Sequence, residues 1–134
     1  MIAFLDKRDQ DLHLKASLPK ITGKTVTTRR QLDQELAKVR RFGYAIDQEE
    51  NEIGCVCYAA PIFGSHGQPI AAISVSVPTE RLNDILDLHL PEKVKASAGR
   101  ISESIISSGI AAEFAKNLKS RRGTGKKNTR QCHD

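Results

Sequence analysis

Cys55-Val-Cys-Tyr-Ala-Ala-Pro-Ile-Phe63, Gly64-Ser-His-Gly-Gln68 and Pro69-Ile-Ala-Ala-Ile-Ser-Val-Ser76 run in succession, and their reading decides the fold. Two runs of apolar and small residues flank a short Gly-containing turn, which is the pattern of a β-hairpin. Upstream, Tyr44 to Asp47 reads as a further short strand, joined to the hairpin by the polar, acidic stretch Gln48 to Gly54. Downstream, Pro78 is expected to stop the pairing, because proline has no N–H to give to a ladder. The strands are apolar except for isolated polar groups at Asp47, Cys57, Ser74 and Ser76. A few convergent polar groups on apolar walls are how a small-molecule pocket is usually built.

Helices are marked on both sides of this block. Thr28 with Gln31 fits a capping box ahead of an apolar stripe of Leu32, Leu36 and Val39. Asp33 and Glu35 stand early and Arg40 and Arg41 late, the order that suits the helix dipole. Gly43 is a good residue for the left-handed position after a helix, so the helix is placed at 29–42. Residues 6–16 read as a short polar helix with Leu12 inward. Thr79 is expected to cap a helix to about His89, with Leu82, Ile85 and Leu86 inward. Pro91 opens a longer helix whose apolar positions run through Val94, Ala98, Ile101, Ile105 and Ala112 and fade near Leu118. Antiparallel strands with helices packed on a sheet face make an α+β domain.

At 134 residues the chain is long enough for one domain with a real core. No run approaches the roughly 18 apolar residues of a membrane span. Met1 to Leu5 is followed at once by Asp6 and Lys7 and does not read as a secretory leader. Three cysteines in this composition fit reduced thiols in a cytoplasm. The formal net charge of +5 hides an asymmetry. Residues 1–115, the expected domain, carry 14 Lys or Arg against 15 Asp or Glu. Residues 116–134 carry seven against one, and read as a basic, solvated tail.

Each candidate residue has a plainer reading beside the functional one. Ser74 and Ser76 share a strand face with Ile70 and Ala72, so their hydroxyls can donate to one carboxylate or carbonyl, or else face water. Cys57 alternates with Cys55 and Ala59, where a cysteine is usually a small buried hydrophobe. Cys55-x-Cys57 with a lone His66 lacks the ligand count of a zinc site, so no metal is expected. No base is placed in sequence beside Cys57 for nucleophilic catalysis, and no catalytic residue is assigned. Glu49, Glu50 and Glu52 read as a solvated loop, whereas Asp47 ends an apolar strand. The turn at 64–67 lacks a phosphate-loop pattern, and no cofactor is expected.

Gly43-Tyr-Ala-Ile-Asp47-Gln-Glu-Glu50, Gly54-Cys-Val-Cys57-Tyr-Ala-Ala-Pro-Ile62 and Ala71-Ala-Ile-Ser-Val-Ser76 resemble the effector-binding domain of IclR-type bacterial transcriptional regulators. The lead-in Leu18 to Thr27 fits the same family, and the resemblance covers residues 1 to about 112. It implies a GAF-like α+β fold, a small organic acid as effector, and no turnover. Carried over by position, Asp47, Cys57, Ser74 and Ser76 match pocket residues of the family, and Cys55 falls beside them. Val77 stands where the family often has glycine. No helix-turn-helix pattern precedes Thr28, so the chain is expected to be an N-terminally truncated effector domain without its own winged helix-turn-helix. It would then not read a DNA sequence directly, and its partners would be the effector and other subunits, as a homo-oligomer or with a full-length regulator. The alternatives are an interaction protein that dampens full-length regulators, a gene relic, or a small enzyme using Cys57 or Asp47.

Overall fold

The computed structural model describes residues 1–14 and 18–109, with side chains described throughout that range except at residues 85–87. The elements are helices α1 (Lys7–His13), α2 (Arg29–Phe42) and α3 (Leu90–Ser107), and strands β1 (Ala45–Gln48), β2 (Cys55–Phe63) and β3 (Pro69–Pro78). Short 3-10 segments cover Ile2–Phe4, Thr79–Arg81 and Asn83–Leu88. The strands form one antiparallel sheet in the order β1-β2-β3, giving the α+β class expected from the sequence.

β2 is the central strand, and its alternation sets both faces. Val56, Ala60 and Ile62 of β2 are buried, as are Val94 and Ala98 of α3. Ala60, Ile62, Val94 and Ala98 form one cluster, with Tyr44, Tyr58, Ile73 and Ile101 packed around it. Small residues at Ala60 and Ala98, each 2% exposed, let α3 approach the strand closely. Each larger side chain buried there contributes about 1.5–3 kcal/mol. The other alternate residues of β2, Cys55, Cys57 and Ala59, point away from α3.

α2 keeps the predicted bounds, and its ends explain why. Thr28 Oγ1 accepts the Gln31 N–H at 3.3 Å and donates to the Gln31 side-chain oxygen at 2.8 Å. The glutamine therefore receives the cap hydroxyl rather than reaching back to the Thr28 amide. Gly43 ends the helix at φ +82°, and a Cβ there would meet Lys95 Cε at 2.9 Å. Lys95 reaches from α3 to donate to the Phe42 carbonyl at 2.7 Å, a cation at the negative end of α2.

Four expectations are corrected. Leu12 does not face inward: it is 61% exposed, and Gln10 is the buried residue of α1. Gln10 is held there by donating to the Leu5 carbonyl at 2.9 Å. The helix expected over 79–89 is instead two 3-10 segments, in which Thr79 caps nothing with its side chain. Its backbone N–H donates to the Gly54 carbonyl, while Asn83 and Asp84 are weak helix formers and His89 is left-handed at φ +46°. β3 runs on to Pro78 rather than stopping at Ser76. The row of Ile70 with Ala72, Ser74 and Ser76 is broken by a register shift at Ile62/Phe63, which turns Ile70 toward the α3 core. The expected helical positions Ala112 and Leu118 and the basic tail at 116–134 lie outside the described residues; α3 ends at Ser107.

The register shift leaves the Phe63 N–H in need of a partner, and buried Ser102 provides it. Its Oγ accepts that N–H at 2.9 Å and donates to the Ala98 carbonyl at 2.8 Å. Removing a partner from a buried donor costs about 1–3 kcal/mol. Ser102→Ala is therefore expected to lower unfolding free energy by about that amount, read by urea denaturation, with the denaturant slope unchanged.

Candidate functional site

Pairing brings the residues singled out in the sequence onto one face. Asp47 on β1 pairs with Cys57 on β2, and Cys57 pairs with Ser76 on β3, so the three stand in a row across the sheet. Ala45, Ala59 and Ser74 form the next row on that face. Cys55 lies two residues before Cys57 on the same side of β2. The face is turned away from α3, whose contacts are with the opposite side.

Two of the row's side chains meet, those of Cys57 and Ser76. Cys57 Sγ and Ser76 Oγ are 3.1 Å apart, and Cys55 Sγ lies 3.9 Å from Cys57 Sγ. Both cysteines are half-buried and free. Burial, reinforced by the neighbouring Cys57, pushes the Cys55 thiol above its ordinary pKa. That is the opposite of the shift an activated nucleophile needs. Among the described residues no group of three or more His, Cys, Asp or Glu could hold a metal ion.

Asp47 has a structural duty as well as a place in the row. Its Oδ1 accepts the Glu50 N–H at 2.7 Å and so shapes the turn after β1. The acidic stretch that reads as a solvated loop is in fact tied down. Thr22 Oγ1 donates to the Glu49 carbonyl at 2.8 Å, and Thr25 Oγ1 to the Glu50 carbonyl at 2.6 Å. Glu49 pairs with Lys24 and accepts the Gly54 N–H at 2.8 Å, holding its own backbone at φ +61°. Lys24 first, and the Gly54 amide second, hold the Glu49 carboxyl below its ordinary value. Sequence reasoning missed Thr22, Lys24, Thr25 and Glu49 because the partners are 25 or more residues apart. The signal available was only a Thr-x-x-Thr turn and a charged pair of unknown distance.

A cleft of about 580 Å³ opens beside this turn, between α2 and the sheet. Leu32, Leu36, Val39 and Phe42 of α2 form one wall, and Ala45, Asp47, Cys57 and Ala59 the other. Asp47 and Cys57 thus line the cleft, whereas Cys55, Ser74 and Ser76 do not. The two serines are exposed beyond its rim, on the outer strand β3. The cleft and the serines are two parts of one face, and Cys57 is where they join.

A family model described as bacterial transcriptional regulator IclR C-terminal matches residues 1–103. The chain belongs to that family. Among curated relatives, the DNA-binding transcriptional repressor YiaJ of Escherichia coli is 36% identical over 85 residues, covering 63% of this chain and 30% of that protein. A transcriptional regulator from Rhodococcus sp. RHA1 has a solved structure that superposes with a TM-score of 0.72 at 28% identity, covering 79% of this chain and 44% of that one. The inducer-binding domain of a PobR double mutant from Acinetobacter, solved with 3-hydroxybenzoic acid, superposes at a TM-score of 0.66 and 27% identity, covering 75% and 61%. The chain spans about a third of the length of the curated relatives it matches. Those relatives are regulators of transcription, not enzymes. Among the described residues no helix of this IclR-family chain is long and apolar enough to cross a membrane.

The lowered Glu49 pKa predicts a pH dependence of known sign. A carboxylate favoured by folding adds stability above its ordinary value of 4.5, and that stability is lost as pH falls through the folded-state value. Glu49→Gln is expected to lower the urea midpoint near pH 7, and the gap to wild type is expected to narrow as pH falls below 4.5.

Proposed function

We propose that the Asp47–Cys57–Ser76 face, with Ser74, Cys55 and the adjoining cleft, is an effector site that binds a small organic acid without turnover. The observation that carries this reading is the pairing register, which stands three polar groups in one row between apolar neighbours. Ser74 and Ser76 can each donate a hydroxyl to a carboxylate. Asp47 repels a carboxylate, so it takes a ligand hydroxyl or a bridging water. The apolar wall of α2 suits the carbon skeleton. The inducer-binding relative solved with 3-hydroxybenzoic acid, a ligand with both a carboxylate and a hydroxyl, supports the assignment.

A second property is tied to one observation. β1 and β3 are the outer strands, and each has one unpaired edge among the described residues. Val75 and the serines of β3 are exposed. Open edges favour pairing with another chain. The chain is accordingly read as a subunit that self-associates or joins a full-length regulator in the cytoplasm. In this reading it does not recognise a DNA sequence by itself. The 134-residue chain should leave no footprint on the operator of a full-length relative, and a defined footprint would overturn that point.

The site is tested by thermal shift against small organic acids, with 3-hydroxybenzoate among them. A ligand at about 100 times its Kd adds about 2.7 kcal/mol to the folded state and raises Tm. The expected result is a shift in wild type that is lost in Ser74→Ala/Ser76→Ala. Asp47→Asn keeps an oxygen for the Glu50 N–H, so it should fold, lose preference for hydroxylated acids and accept simple carboxylates better. A shift that survives the double serine variant sinks the assignment.

A further inference from the structure

We infer that Cys55 and Cys57 form a dithiol site that captures a trivalent arsenic compound, one arsenic atom bridging both sulfurs. The two thiols stand on one side of one strand with their sulfurs 3.9 Å apart, half-buried and free. The effector reading includes Cys55 beside the row but gives its thiol no ligand contact of its own.

The strand geometry decides what the pair can do. A direct disulfide needs sulfurs about 2.05 Å apart and Cα atoms within about 6.8 Å. Alternate residues of a strand are about 6.6–6.8 Å apart, at the limit of that range. Closing the gap would require β2 to buckle, yet Val56 and Cys57 are held by pairing on both sides, to Gln48 and Asp47 and to Val77 and Ser76. A single bridging atom spans the gap without moving the backbone. Trivalent arsenic is pyramidal, so its two bound sulfurs stand closer than the 3.9 Å seen here, and small χ1 rotations of the two cysteines close that difference. A zinc ion would need further protein ligands, and no third His, Cys, Asp or Glu joins the pair among the described residues. Trivalent arsenic needs only two, because its third valence is filled by its own substituent.

The step balances without an oxidant. An arsenic oxide and two thiols give two As–S bonds, and the oxide oxygen leaves as water with the two thiol protons. No thiolate has to exist beforehand, which suits a Cys55 thiol whose pKa is raised. The adduct lies against Ser76, on the face proposed for the effector, but its formation does not depend on that reading.

The reduced 134-residue chain is treated with one equivalent of phenylarsine oxide, then with excess glutathione, and examined by intact mass and tryptic mapping. Cys55 and Cys57 fall together in the tryptic peptide 42–81, and Cys132 in a separate one. The expected result is one phenylarsenic group per chain, located on peptide 42–81, resistant to glutathione and released by 2,3-dimercaptopropanol. Cys132→Ser should keep the full adduct, and Cys55→Ser should lose its glutathione resistance. The inference is overturned if the adduct washes out with glutathione, maps to Cys132, or survives in Cys55→Ser. Because mapping is done on wild type, the outcome stands even if a variant folds poorly.

Discussion

Everything in this domain depends on the register of β2. The strand is paired on both sides, so its alternation is imposed on β1 and β3 together. Tyr58, Ala60 and Ile62 pack with α3 in the core, while Cys55, Cys57 and Ala59 go to the opposite face. A slip of one residue would send cysteines into the core and Ile62 into the open. Core packing and site assembly are therefore the same constraint seen from two sides.

That constraint leaves one end of the sheet irregular, and the irregularity is satisfied locally. The shift at Ile62/Phe63 turns Ile70 into the core and frees an amide, which Ser102 takes up from α3. At the other end, the turn after β1 is held by Asp47, Glu49 and the Thr22–Thr25 segment. Ser102 with Phe63 and Thr22 with Glu49 join residues far apart in the chain, whereas Asp47 and the Glu49 carboxylate act locally. Under the proposed effector reading, they hold the two ends of the face on which the polar row stands before a ligand binds. Preorganisation of this kind reduces the entropy lost on binding.

The acidic turn also changes how its charge is to be understood. Glu49 is a paired, backbone-bonded carboxylate rather than a solvated one, and Asp47 divides its service between the turn and the row. The relatives extend well beyond the matched region, so the part described is one component of a longer regulator architecture in those proteins.

Local signals in the sequence determined α2 fully, because Thr28, the apolar stripe and Gly43 each act within a turn or two of themselves. They determined the hairpin for the same reason, and the period-2 pattern put Ser74 with Ser76 and Cys55 with Cys57 on common faces. They failed over 79–89, where Thr79 was drawn off by Gly54, and at Leu12, where the Gln10 side chain satisfied backbone carbonyls and took the buried place. Only the tertiary structure decided that Asp47, Cys57 and Ser76 form one row, that the serines stand outside the cleft, and that Lys24 and Thr25 hold the acidic turn. Those relations come from strand register and from partners 19 to 27 residues apart, which no local propensity encodes.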